Sequence, residues 1–233
     1  MVYKIKSQTL FLQHSKQKNI IMKKLLLLSA LILGISAANA QFGIQAGAVF
    51  YSGKATADNL SFKYDTKVGF TAGVVYSAPL SSNFSFMPSL NFTQKGGKYT
   101  LEDGDEDNLS LSYIELPLNF VYNTSGKGGS FFIGAGPDLA FGVGGKEKFA
   151  GESSDIHFGS GDNDDFKPFE FGVNIIAGYK LDNGLFFAAN YNPGISDIAT
   201  DNSGGGKFHN NGFGIRIGYM FGKMMKKSSS DTQ

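Results

Sequence analysis

The chain has no cysteine, no tryptophan, three histidines and, in Arg216, a single arginine among its 233 residues. Without cysteine there is no disulfide, no thiolate metal site and no lipid-modified N-terminal cysteine, so an exported protein of this kind is stabilised by its sheet. With one arginine and no basic cluster beyond the N-terminal region, the sequence lacks the positive surface that nucleic-acid binding requires. A membrane-spanning helix is missing as well. The longest apolar run, 25–35, is broken only by Ser29 and Gly34, and it is about half of the roughly 20 residues a helix needs to cross a bilayer.

That run has the layout of a secretory signal. Met22 is followed by Lys23 and Lys24, the apolar stretch comes next, and Ala38 and Ala40 flank Asn39 where small residues are required. Residues 22–40 are therefore read as a signal peptide cut before Gln41, and residues 1–21 as a start-site extension that is not made. Six of the 21 basic residues and none of the 20 acidic ones precede Gln41, so the chain that remains is net acidic. Its length suits one domain.

From Gln41 onward the pattern has a period of two. Eight segments alternate large apolar residues with small or polar ones: 42–50, 68–76, 84–93, 113–122, 131–141, 169–180, 185–192 and 212–221. Alternation alone reads as strands with one buried face. The connections narrow it further. Those after the first, third, fifth and seventh segments are long (51–66, 95–109, 142–168 and 193–208), while 78–83, 123–130 and 181–184 are short. Long and short connections in strict turn mark an up-and-down outer-membrane barrel. The larger face is rich in Phe, Ile and Tyr, and the other is rich in Gly, Ser, Thr and Asn. An eight-stranded barrel has little room inside, so small groups fit inward and large apolar groups face lipid. The fold expected is all-β: an eight-stranded antiparallel transmembrane barrel over 41–222, after the signal peptide, with a polar tail at 223–233.

The charges that fall on the inward face are Glu115, Asp138, Glu170, Lys180 and Arg216. They read as a structural lumen cluster, in which Arg216 takes Glu115 or Asp138 as its carboxylate partner because an unpaired buried cation is costly. Gln45, Met87, Tyr113, Phe132, Phe186 and Met220 are the remaining large inward groups. They are expected to fill the barrel and prevent conduction. Catalysis is not expected. His157 and His209 lie in or near long connections, no G-x-S-x-G motif occurs, and a Ser–His–acid lipase needs those groups held together on rigid strands. The acidic stretches 101–110 and 160–168 do not complete a calcium loop: Asn108 stands where glycine is required and Ile114 where the bidentate acid should be. They read as solvated loops. No cofactor or metal is expected.

Five stretches, "YIELPLNFVY" (113–122), "FFIGAGPDLAFG" (131–142), "FEFGVNIIAGYKL" (169–181), "NYNPGISDIA" (190–199) and "GFGIRIGYMFG" (212–222), resemble the PorT-like outer-membrane β-barrel family of Bacteroidetes. Asp138 and the Lys/Ser tail depart from its pattern. The resemblance implies a small barrel in the outer membrane of a Gram-negative bacterium. Such a barrel would lie among outer-membrane lipid and lipopolysaccharide and play a structural or interaction role through external loops and periplasmic turns. It implies, as the alternative, a component of a protein-secretion system. A lipid-modifying enzyme is the remaining, less favoured reading.

Overall fold

A computed structural model describes residues 41–57, 60–100, 106–124, 126–149, 151–161, 164–200 and 206–221. The expected extension, signal peptide, cleavage residues Ala38 and Ala40, and polar tail lie outside the described residues. Ten strands follow one another: β1 Gln41–Ala57, β2 Leu60–Lys63, β3 Asp65–Pro79, β4 Phe84–Thr100, β5 Glu106–Asn123, β6 Gly129–Phe149, β7 Glu152–Ile156, β8 Phe169–Leu181, β9 Leu185–Pro193 and β10 Lys207–Phe221. Eight of them form a closed antiparallel ring, β1-β3-β4-β5-β6-β8-β9-β10, sealed by fifteen rungs of β10 against β1 from Phe42↔Phe221 to Thr56↔Lys207. The short strands β2 and β7 are additions, paired to the upper parts of β1 and β6.

Closure satisfies the backbone, as lipid requires. The outward side chains form the lipid-facing band. Phe131 is 65 % exposed and Val68 61 %, exposure that belongs against hydrocarbon. At the short-turn end the outward pairs Phe42–Tyr76, Phe84–Tyr122, Phe131–Tyr179 and Tyr219–Phe221 have ring centroids 4.6–5.9 Å apart. Phe50 stacks on Phe213 at 4.7 Å, and Phe70 meets Phe92 at 5.7 Å, towards the other end. These are two aromatic girdles with an aliphatic zone between.

The wall continues beyond the upper girdle. Of the four expected long loops, 95–109 is largely the β4–β5 hairpin, and 142–168 begins with the end of β6 and then β7. Two features hide these extensions. Outward residues above the lipid, such as Lys54, Lys98, Ser110 and Lys146, are polar, so alternation loses its contrast. A bulge also shifts register: Ser112 pairs with Gly144 but Tyr113 with Gly142, leaving Val143 unpaired. One extra residue swaps the faces of everything after it.

Inward glycines make room for inward rings. A methyl group added at Gly178 would overlap the ring of Phe132, at Gly218 that of Phe186, at Gly212 that of Tyr51, and at Gly53 that of Phe208. The small residues of the inner face are thus the seats of the large ones.

Candidate functional site

The lumen is stacked in three layers. At the short-turn end Val75, Val121, Phe132, Ile176, Phe186, Ala188 and Met220 form an apolar cluster, with Met87 packed against it. At the long-hairpin end Leu109, Leu111, Tyr113, Ala140, Ile156, Ile198, Ala199 and Phe208 form a second one, joined by Ala55, Tyr64, Phe158 and Phe166. Between them lies a polar layer whose charges are cut off from bulk water by apolar groups above and below.

Lys95 is the centre of that layer. Its Nζ is 2.8 Å from Glu115 Oε1 and 3.1 Å from Glu170 Oε1, with the three side chains 5 % exposed or less. Its charge also lies 5.1 Å from the Tyr51 ring centroid and 4.7 Å from that of Tyr113, positions that favour a desolvated cation. Thr93 Oγ1 donates to Glu115 Oε2 at 2.6 Å, and Asn210 Nδ2 to Glu170 Oε2 at 2.9 Å. Asn192 Nδ2 donates to Asp138 Oδ2 at 2.7 Å, and Asn190 donates in turn to Asn192. Towards the short-turn end Asn174 donates to Asn119 at 2.7 Å, and Gln45 to Asn91 at 2.7 Å. Each bond satisfies a buried group that would otherwise cost about 1–3 kcal/mol.

Glu115, Asp138, Glu170 and Arg216 are all buried in the lumen, the last at 5 % exposure. The expected pairing of Arg216 is corrected. Among the described residues no carboxylate lies within ion-pair distance of Arg216, and Glu115 is taken by Lys95. Sequence reading missed Lys95 because Gly96 and Gly97 follow it and look like the start of a loop. In the fold β4 runs through both glycines to Thr100, and Lys95 faces inward opposite Leu111. The signal available was parity: Lys95 continues the inward series Ser89, Asn91, Thr93. Lys180 stands apart near the short-turn rim, where it donates to Gln41 Oε1 at 3.3 Å.

Of the histidines, His157 and His209 are described, and neither faces the lumen. His157 is exposed, with Nδ1 3.8 Å from Asp165 Oδ2, and His209 is outward on β10 opposite Lys54. In the acidic stretch 160–168 the carboxylates hold their own segment: Asp164 accepts from the Gly161 N–H at 2.6 Å, and Asp165 from the His157 N–H at 2.8 Å. Of the other stretch, Asp103 and Asp105 lie outside the described residues, and Asp107 is part of β5. A groove among the outward residues is lined by Ala46, Ala48, Ala177, Phe187, Ala189 and Ile215. Of the buried charged residues, Arg216 alone lines it.

Solved structures with a similar course of the chain include Neisserial surface protein A, at 14 % identity over 78 % of this chain and 98 % of that one with a TM-score of 0.45. The attachment invasion locus protein Ail of Yersinia pestis, in complex with the heparin analogue sucrose octasulfate, aligns at 16 % identity over 78 % and 99 % with a TM-score of 0.40. The outer membrane protease OmpT of Escherichia coli aligns at 11 % identity over 78 % and 96 % with a TM-score of 0.26. No curated protein sequence matches the chain. The model of one family does, over residues 28–200, and the chain belongs to that family, the outer membrane protein beta-barrel domain.

Proposed function

We propose that the protein is a sealed, non-catalytic outer-membrane barrel that displays its long hairpins as an interaction surface for another protein. The observation that carries this reading is the three-layered lumen: both ends are closed by apolar clusters, so the barrel interior is a support and not a path. An eight-stranded barrel is wide enough only for its own side chains. The material left for function is the wall above the upper girdle, where β4–β5 and β6–β7 stand clear of the lipid band. Export on residues 22–40, and contact of the band with outer-membrane lipid and lipopolysaccharide, are parts of the same proposal.

The test is to shorten the β4–β5 hairpin at the rung Gly96↔Ser110 and close it with Asn-Gly, a dipeptide suited to a two-residue turn. The variant should keep the heat-dependent gel mobility of a folded barrel and lose the proteins that cross-link to the parent in native membranes. An unchanged cross-linking pattern would remove this hairpin from the interaction surface. The secretion-system alternative rests on the five PorT-like stretches, which lie on β5, β6, β8, the end of β9 with the segment after it, and β10. Co-purification of secretion-machinery subunits with the parent barrel would favour it.

A further inference from the structure

Just above the upper girdle, the outward faces of β10, β1 and β2 carry cations side by side. Register places His209 and Lys63 on either side of Lys54 in one rung. Two residues higher it places Lys207 and Ser61 on either side of Thr56. These six side chains point away from the lumen, because their neighbours Ala55, Phe208 and Tyr64 pack inward on the upper apolar cluster. Lys54, Lys63 and Lys207 are exposed, and none takes part in an ion pair among the described residues. Asp65, the acid two residues after Lys63, is set opposite Lys98 of β4. On β6 the comparable lysine is balanced, since Lys146 Nζ lies 3.6 Å from Asp155 Oδ1.

Like charges directly opposite on an antiparallel pair, with Cβ atoms about 5 Å apart, weaken it. Lys54 opposite Lys63, with Lys207 above, becomes favourable once an anion lies among them. The height of the cluster identifies the anion. Phe50 and Phe213 stack at the top of the lipid band. Lys54 is four residues further on, about 13 Å along the strand and about 10 Å along the membrane normal at the usual tilt. The headgroup layer is about 5–8 Å thick on each side, and a lysine stem lets its ammonium reach back into that layer. Hydroxyls of Thr56 and Ser61, 3.4 Å apart, supply neutral donors beside the cations.

We propose that Lys54, Lys63 and Lys207 bind the phosphate groups of a lipid headgroup in the leaflet around the long-hairpin end, with the acyl chains of that lipid against the Phe50–Phe213 side of the band. This rests on the reading of the chain as an outer-membrane barrel with its long hairpins outward. The test is native mass spectrometry of the purified, folded barrel with three probes: bis-phosphorylated lipid A, the same lipid without its phosphates, and inorganic phosphate. The phosphorylated lipid should be retained and the other two should not. Lys54→Gln, Lys63→Gln and Lys207→Gln combined should weaken retention by about 100-fold, from about five-fold per lysine near an anionic surface, and Lys63→Gln alone by about five-fold. Lys146→Gln with Lys148→Gln should leave retention unchanged. Equal retention of the dephosphorylated lipid, or undiminished binding by the triple variant, would overturn the site. Inorganic phosphate bound as tightly as the lipid would overturn the lipid as its occupant. Heat-dependent gel mobility is recorded for every sample. A barrel that folds and inserts but holds no phosphorylated lipid refutes this proposal alone, whereas a chain with no such mobility shift refutes the membrane reading beneath it.

Discussion

The two ends of the lumen are closed by clusters of similar chemistry and different construction. The short-turn cluster is made only of wall residues, one or two from each contributing strand, and each large ring has a glycine seat in the neighbouring strand. The long-hairpin cluster needs residues from outside the ring: Ile156 of β7, and Phe158, Phe166, Ile198 and Ala199 of the segments that follow β7 and β9. Phe166 holds that assembly together, with ring centroids 6.2 Å from Phe158 and 5.2 Å from Phe208 and a bridge to Ala199. Closing a barrel with its own wall comes with strand pairing. Closing it with returning segments adds loop ordering, a separate entropic cost, and yields a part that can open locally.

The largest effect should come from the layer between them. Lys95→Ala leaves two buried carboxylates without their cation and should lower unfolding stability by about 4 kcal/mol, in the range found when one member of a buried pair is removed. Urea-induced unfolding from lipid vesicles measures it. In double-mutant cycles Lys95 and Glu115 should couple strongly, and Arg216 with Glu115 more weakly. The reverse order would return the ion pair to Arg216.

Next is Phe132→Ala in the wall-built cluster, with an expected loss of about 3 kcal/mol spread over the whole cooperative unit. Phe166→Ala in the segment-built cluster should cost less in global stability, about 1–2 kcal/mol, because its surroundings can detach without the ring opening. It should instead speed protease cutting within 157–168 on intact cells. If Phe166→Ala lowers global stability as much as Phe132→Ala and leaves proteolysis unchanged, the contrast between the two ends fails.

The smallest effect expected is on conductance. Replacing 157–167 with a short Gly/Ser link removes Phe158 and Phe166 from the upper closure, yet planar-bilayer recordings should stay silent, since the polar layer and lower cluster still fill the bore. A stable open level in that variant would show that the segment cluster alone seals the barrel.

By itself the sequence determined the ring. The wall between the girdles has lipid on one side and side chains of the same barrel on the other, so outward and inward residues differ sharply, and all eight strands can be read from alternation. Burial of Glu115, Asp138, Glu170 and Arg216 follows from the same parity. Above the lipid that contrast disappears, because polar residues satisfy both faces, and the bulge at Val143 reverses parity as well; there only pairing across strands shows that β4, β5 and β6 continue. Tertiary structure alone decided which cation meets Glu115. Lys95 and Arg216 are both inward, and their side chains meet or miss a carboxylate according to the stagger of strands around the ring. It alone placed Phe166 on Phe208 and Lys207 beside the β1–β2 hairpin, since each of these contacts joins segments far apart in sequence whose relative height is set by closure of the sheet and not by any local residue preference.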